Sequence, residues 1–144
     1  MESKQTLSQR LFLFLHFAVF FLIVISPLIF SKKLQLKYCH IIAYFLYATI
    51  VTWIIAGQCP LNNVQNTTEY GTITTFLLCT GVDATPYHKT IDFIARYLVF
   101  TILLYYSPSQ NFTISCVVLL IFYHINRYLK NKPIIRDVIK ELSR

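Results

Sequence analysis

Residues 11–30 read Leu-Phe-Leu-Phe-Leu-His-Phe-Ala-Val-Phe-Phe-Leu-Ile-Val-Ile-Ser-Pro-Leu-Ile-Phe, an apolar run broken only by His16, Ser26 and Pro27. A helix rising about 1.5 Å per residue needs about 20 residues to cover the ~30 Å hydrocarbon core of a bilayer, and this stretch meets that length. Three further apolar blocks follow at residues 38–57, 90–106 and 112–129, of which 90–106 is the shortest. With 56% hydrophobic and only 13% charged residues, and a mean hydropathy of +0.55, the chain is too poor in charge for a soluble domain. The sequence therefore predicts an all-α protein: a four-helix transmembrane bundle forming a single integral-membrane domain over residues 1–144.

The first block follows Lys4 and Arg10, as a signal peptide would, but it exceeds the usual apolar core of such a peptide. Lys32, Lys33 and Lys37 follow it where small residues would mark cleavage. It reads as a retained anchor. The net charge of +7 does not imply nucleic acid, because the basic residues flank apolar blocks and do not form a face. If the N-terminus is inside, nine Lys and Arg residues fall on the inner side and three on the outer, with Arg96 inside a block. That asymmetry predicts both termini in the cytoplasm, although the local contrast around the first block runs the other way.

The connections at 31–37 and 107–111 are short, so the first two helices and the last two should be antiparallel neighbours. The link at 58–89 is longer. Within it, residues 72–82 are apolar but too short to span, which suits an interfacial or re-entrant segment or a short helix packed on the bundle end. Residues 133–144 read as an amphipathic tail: Ile134, Val138 and Leu142 repeat at helical spacing, widened by Ile135 and Ile139, beside a basic row of Arg136, Lys140 and Arg144. Such a tail either lies on anionic lipid of the cytoplasmic leaflet or packs on a partner.

Polar residues inside the blocks cost free energy unless they find partners, so they are the pointers to function. His16, Arg96 and His124 fall at similar depth in the inner half, with Asp92 and Asn126 nearby and His40 toward the opposite face. One reading is an inward-facing pocket in which His16, His124 and Arg96 bind a haem, a metal or an anion. The other is that they only hydrogen-bond across helices or snorkel to headgroups. Two histidines do not make a metal site, and no haem-specific spacing occurs. Of the four cysteines, Cys39, Cys59, Cys79 and Cys116, none forms a Cys-x-x-Cys motif. In an inverted topology Cys59 and Cys79 would be free to form a disulfide, and the Asn66 sequon to carry a glycan.

The densest motif, Gly57-Gln58-Cys59-Pro60-Leu61-Asn62-Asn63-Val64-Gln65-Asn66, has a helix stop at its core. Gly57 suits the left-handed C-terminal position and Pro60 cannot continue the helix, while Trp53 one turn earlier suits an interfacial anchor. Over roughly residues 10–106 the chain resembles a family of small multi-pass membrane proteins, bacterial and encoded by large DNA viruses, grouped as a domain of unknown function. The matching residues are His16, Pro27, His40, Gly57, Cys59, Pro60 and Leu61, with Asn62 in place of the usual threonine and Gln65 in place of the usual glutamate. An amide at 65 cannot act as a carboxylate acid, base or hard-metal ligand, and the resemblance implies no activity or cofactor.

The residue pattern thus points to a structural or accessory membrane protein with no enzymatic activity. Abundant Phe, Tyr, Ile, Lys and Asn fit a gene of low G+C content, which suggests a viral or host-derived membrane as its setting. The alternatives are a haem- or redox-associated protein using His16 and His124, and a small oligomeric channel. The channel is disfavoured because no helix has a regular polar stripe.

Overall fold

The computed structural model describes residues 5–57, 59, 61–65, 69–130 and 134–144. Pro60, the Asn66 sequon, Pro133 and the side chain of Gln65 lie outside the described residues. Among those described, every regular element is helical: α1 (Leu7–Ile29), α2 (Lys32–Ala56), α3 (Leu61–Gln65), α4 (Thr72–Cys79), a 3-10 turn (Thr85–Tyr87), α5 (His88–Tyr105), α6 (Gln110–Leu129) and α7 (Ile134–Leu142).

Of the four expected spans, three helices are long and apolar enough to cross a membrane: α1, α2 and α6. The block at 90–106 forms α5, an 18-residue helix that includes Lys89, Asp92 and Arg96. Helix α2 begins six residues before the apolar block, because the lysines at 32, 33 and 37 are helical. Ser31 caps this early start by accepting the Leu34 N–H at 3.4 Å, so the first link is far shorter than the sequence suggests. Charge marks where apolar character ends, whereas a cap marks where the helix ends.

Local chemistry explains the other boundaries. Thr6 and Gln9 form a reciprocal capping box at the start of α1, and Ser109 caps α6 through the Phe112 N–H at 3.2 Å. Gly57 ends α2 at φ 76°, a left-handed conformation that a Cβ disfavours. Pro27 lies inside α1 and has no N–H to give the Ile23 carbonyl. Ser26 replaces that donor, its hydroxyl reaching the Ile23 oxygen at 2.7 Å. With its only proton so used, Ser26 accepts from the Tyr106 hydroxyl at 2.6 Å, and both side chains are buried. This contact pins the end of α1 to the end of α5. Beside it, Gln35 donates to the Pro27 and Phe30 carbonyls and accepts from Tyr105.

The core runs along Ala43, Leu46, Ile50 and Ile54 of α2, Val99, Phe100, Ile102 and Leu103 of α5, and Cys116 and Tyr123 of α6. Helix α5 is the central element: it touches α1, α2, α4, α6 and α7, and five of its residues are buried. The most apolar helix, α1, buries only Leu13 and Ser26 and turns Leu11, Phe12, Leu15 and Leu22 outward. Contacts at opposite ends of the long helices fix the layout. Tyr106 of α5 meets Ser26 of α1 at the end bearing the short links, while the start of α5, the end of α6, and the segments 59–87 and 134–142 gather at the other. The start of α1 and the tail helix α7 therefore lie at one end of the molecule.

At that end, α4 packs on α1 through Phe76, which stacks on Phe17 with ring centroids 3.9 Å apart and meets Phe14 edge-on. The tail folds back as α7, and its acidic residues make the dock. Tyr87 provides no side-chain cap for α5. Instead the Glu141 carboxylate accepts the Lys89 N–H at 3.1 Å, the Thr90 N–H at 2.8 Å and the Thr90 hydroxyl at 2.7 Å. A carboxylate here satisfies orphan N–H groups and faces the positive end of the helix dipole. Asp137 adds an ion pair to Lys89 at 3.2 Å. The apolar row expected from Ile134, Val138 and Leu142 is split: Ile134 is buried, while Leu142 is exposed together with Ile135 and Ile139.

Burial alone would raise the Glu141 pKa, but its bonds to Thr90 and Lys89 and the nearby His88 outweigh that and hold it below the ordinary carboxylate range. A lowered native value means that this stabilisation is complete above the unfolded pKa of about 4.3 and is lost as pH falls through the native one. Glu141→Ala should cost about 0.5–2 kcal/mol in denaturation of the purified protein at neutral pH. It should also speed amide exchange across 134–142 and at Lys89 and Thr90, and the difference from the parent should vanish in acid.

Candidate functional site

The terminal end of the bundle holds a cleft of some 590 Å³ including its open mouth, between α1, the end of α2, α4 and the start of α5. His16 and Arg96 both line it, together with Trp53, Cys59, Asn62, Thr72 and Asp92. His124 is not part of it. The His124 ring shares a short hydrogen bond with the Tyr97 hydroxyl and lines a separate apolar hollow with Arg127, Tyr128 and Ile134. Equal depth on separate helices therefore brings two of the three expected residues together, because azimuth around the bundle, which depth does not set, turns His124 to another sector. His40 is exposed on α2 toward the opposite end, away from the cleft.

Arg96 is 9% exposed and fully engaged. Its Nη1 donates to the Tyr123 hydroxyl at 2.6 Å, and its Nη2 pairs with Asp92 at 2.8 Å. The guanidinium also lies over the Trp53 and Tyr123 rings at 5.9 and 5.7 Å. Trp53 thus faces inward onto a cation, beyond the interfacial role its position suggests. Nearby, Asn126 Nδ2 donates to the Ile54 carbonyl at 3.3 Å, occupying one of the acceptors left open in the last turn of α2.

His16 sits in a second network. The Thr72 hydroxyl donates to Asn62 Oδ1 at 3.0 Å, so toward His16 Nδ1, 3.4 Å away, it can only accept. That places the ring proton on Nδ1 and leaves Nε2 as the basic nitrogen. His16 also lies against the Cys59 thiol, on the lining of the same cleft. Burial pushes that thiol up, but the polar contact with His16 and the backbone N–H of Leu61 outweigh it, so Cys59 lies below the ordinary thiol range. The indole N–H of Trp53 lies near the same sulfur without reaching hydrogen-bond geometry. Two buried donors of the lining, Trp53 Nε1 and Thr74 Oγ1, have no hydrogen-bond partner among the described residues.

In the family-like motif, Gly57 is the helix stop, Leu61 opens α3, and Cys59 is carried onto His16. Cys59 and Cys79 are not bonded to each other; the Cys79 thiol is exposed and reaches Gln5. The sequence pattern did not single out Tyr123, Tyr97, Thr72 or Asn62 as partners. Only Asp92 and Arg96 bore a readable signal, their i, i+4 spacing. No group of three or more His, Cys, Asp or Glu side chains with metal-binding geometry occurs among the described residues. No protein-family model, curated protein or solved structure matches the chain.

The Arg96 pair is asymmetric: its side chain is 11% exposed, that of Asp92 40%. Removing Asp92 leaves a buried cation, whereas removing Arg96 leaves a carboxylate that water reaches. Asp92→Asn should therefore destabilise the protein by about 1–3 kcal/mol, short of the 3–5 typical when a fully buried pair is broken. Arg96→Met, which keeps most of the stem, should cost less. Thermal melting of both variants in detergent checks the order; a larger loss for Arg96→Met would mean that the guanidinium matters chiefly through stacking on Trp53 and Tyr123.

Proposed function

We propose that this chain is a structural or accessory multi-pass membrane protein, a four-helix transmembrane bundle with both termini on the cytoplasmic face. The observation that supports it best is the pairing of the α5 charges. Arg96 is neutralised by Asp92 inside the bundle and Lys89 by Asp137 at its end, while the core-facing residues of α5 are apolar. An 18-residue helix spans about 27 Å, close to the hydrocarbon thickness, so α5 is the fourth crossing despite its charge. Four crossings return the chain to its starting side, in keeping with the start of α1 and the tail helix α7 lying at one end.

The tail then lies along the inner leaflet. Its acidic residues hold α5, its exposed row Ile135, Ile139 and Leu142 enters the interface, and Arg136, Lys140 and Arg144 meet anionic headgroups at roughly 1 kcal/mol each. The protein acts by packing and by this lipid contact, in what composition suggests is a viral or host-derived membrane. A haem held between His16 and His124 has no observation in its favour, because the two rings line different cavities. A pore is not favoured either, since the outward rows of α1, α2 and α6 are apolar.

Reporter fusions after Arg144 and within residues 62–70 should both score cytoplasmic, and glycosylation of Asn66 in cells would overturn the arrangement. In nanodiscs, a fluorophore at position 139 of the full chain should be quenched by lipid-borne quenchers more strongly with anionic than with neutral lipid. Salt should weaken the difference, because exposed charges are screened over about 8 Å at physiological ionic strength.

A further inference from the structure

The cleft is continuous with a second, more apolar groove. Leu15, Val19 and Ile23 of α1 and Phe45, Leu46 and Trp53 of α2 line it, and His16 and Cys59 line both spaces. From Ile23 to His16 it runs about 10 Å along α1. Leu15 and Val19 are largely exposed, so its side opens outward, where lipid would lie. A hydrocarbon chain laid in this groove would therefore bring its polar end to a thiol paired with a histidine base.

We propose that Cys59 is an S-acylation site that takes its acyl group directly from a long-chain acyl thioester, with His16 as the base and the α1–α2 groove holding the chain. Cys59 gives its proton to His16 Nε2 and its sulfur attacks the acyl carbonyl carbon. A C–S bond forms on Cys59, the C–S bond to the donor breaks, and the departing thiolate takes the proton back from His16. The network Asn62, Thr72 and His16 fixes the tautomer this requires.

The chain contains its own controls. Cys79 is the more exposed thiol on the same link but bonds to Gln5 and to no histidine among the described residues, Cys39 spends its proton on the Leu36 carbonyl, and Cys116 is buried. A juxtamembrane cysteine is a common place for acylation, but position alone would favour Cys79. The pairing with His16 and the groove favours Cys59.

The test incubates the full chain in detergent micelles at neutral pH with an alkyne-tagged long-chain acyl-CoA, then maps hydroxylamine-labile label by peptide mass. The expected result is label at Cys59, none there in Cys59→Ser, and a rate lowered about tenfold or more in His16→Gln, which keeps a polar group toward Thr72. Val19→Trp, which fills the groove, should lower the ratio of long-chain to acetyl transfer by a similar factor. Label on Cys79 at or above the rate of Cys59 would overturn the proposal. So would an unaltered rate in His16→Gln, or, where melting shows that variant misfolded, an unaltered ratio in Val19→Trp. The inference rests on the membrane placement proposed above but not on its sidedness. Sidedness has no meaning in micelles, so failure here leaves the topology standing, and a glycosylated Asn66 would leave the labelling result standing.

Discussion

The bundle depends on how Arg96 is accommodated. A guanidinium inside a helical bundle is tolerated only where charge, hydrogen-bonding capacity and flat faces are all met, and Asp92, Tyr123, Trp53 and the Tyr123 ring meet them from three helices. Because α2, α5 and α6 each contribute, the site fixes their mutual rotation as well as their separation. The consequence is an inversion of the usual expectation. Helix α5, which carries the charges Asp92 and Arg96, is the most enclosed of the long helices, while the most apolar, α1, buries only Leu13 and Ser26. In lipid this is reasonable, since apolar surface gains nothing by leaving hydrocarbon, whereas paired polar groups must face one another.

The two ends of α5 are secured by borrowed chemistry. At the end with the short links, Tyr106 donates to Ser26, whose own proton has gone to the carbonyl that Pro27 leaves open. At the other end, no neighbouring residue caps the helix, and Glu141, far along the chain, supplies the carboxylate. Both arrangements convert a local backbone deficit into a long-range contact. The need to satisfy backbone groups away from water thus helps to assemble the bundle.

The same end of the molecule sorts its surfaces by polarity. The cleft carries the polar side chains of His16, Asn62, Thr72 and Arg96, the groove between α1 and α2 is almost wholly apolar, and Cys59 lines both. Gly57 makes this possible. By ending α2 in a left-handed turn, it turns the following segment back toward α1, so Cys59 meets a histidine more than forty positions earlier in the chain.

Much of the architecture was legible in the sequence. The apolar blocks located the four long helices, the glycine stop at 57 was found where expected, and the short apolar segment and the amphipathic tail both appeared as helices. These features are local, set by hydropathy, chain length and the conformational freedom of glycine. Depth along a block was equally readable, and it placed His16 and Arg96 at the level where they share a cleft. What only the tertiary structure decided was azimuth and partnership. His124 turned away to Tyr97, Arg96 found Tyr123, Cys59 found His16, and the tail docked through Asp137 and Glu141 while its basic row remained outside. A hydropathy pattern repeats along one helix and gives position along its axis. Which side chains meet depends on how several helices rotate to pair their few polar groups together, and that is settled by all of them at once.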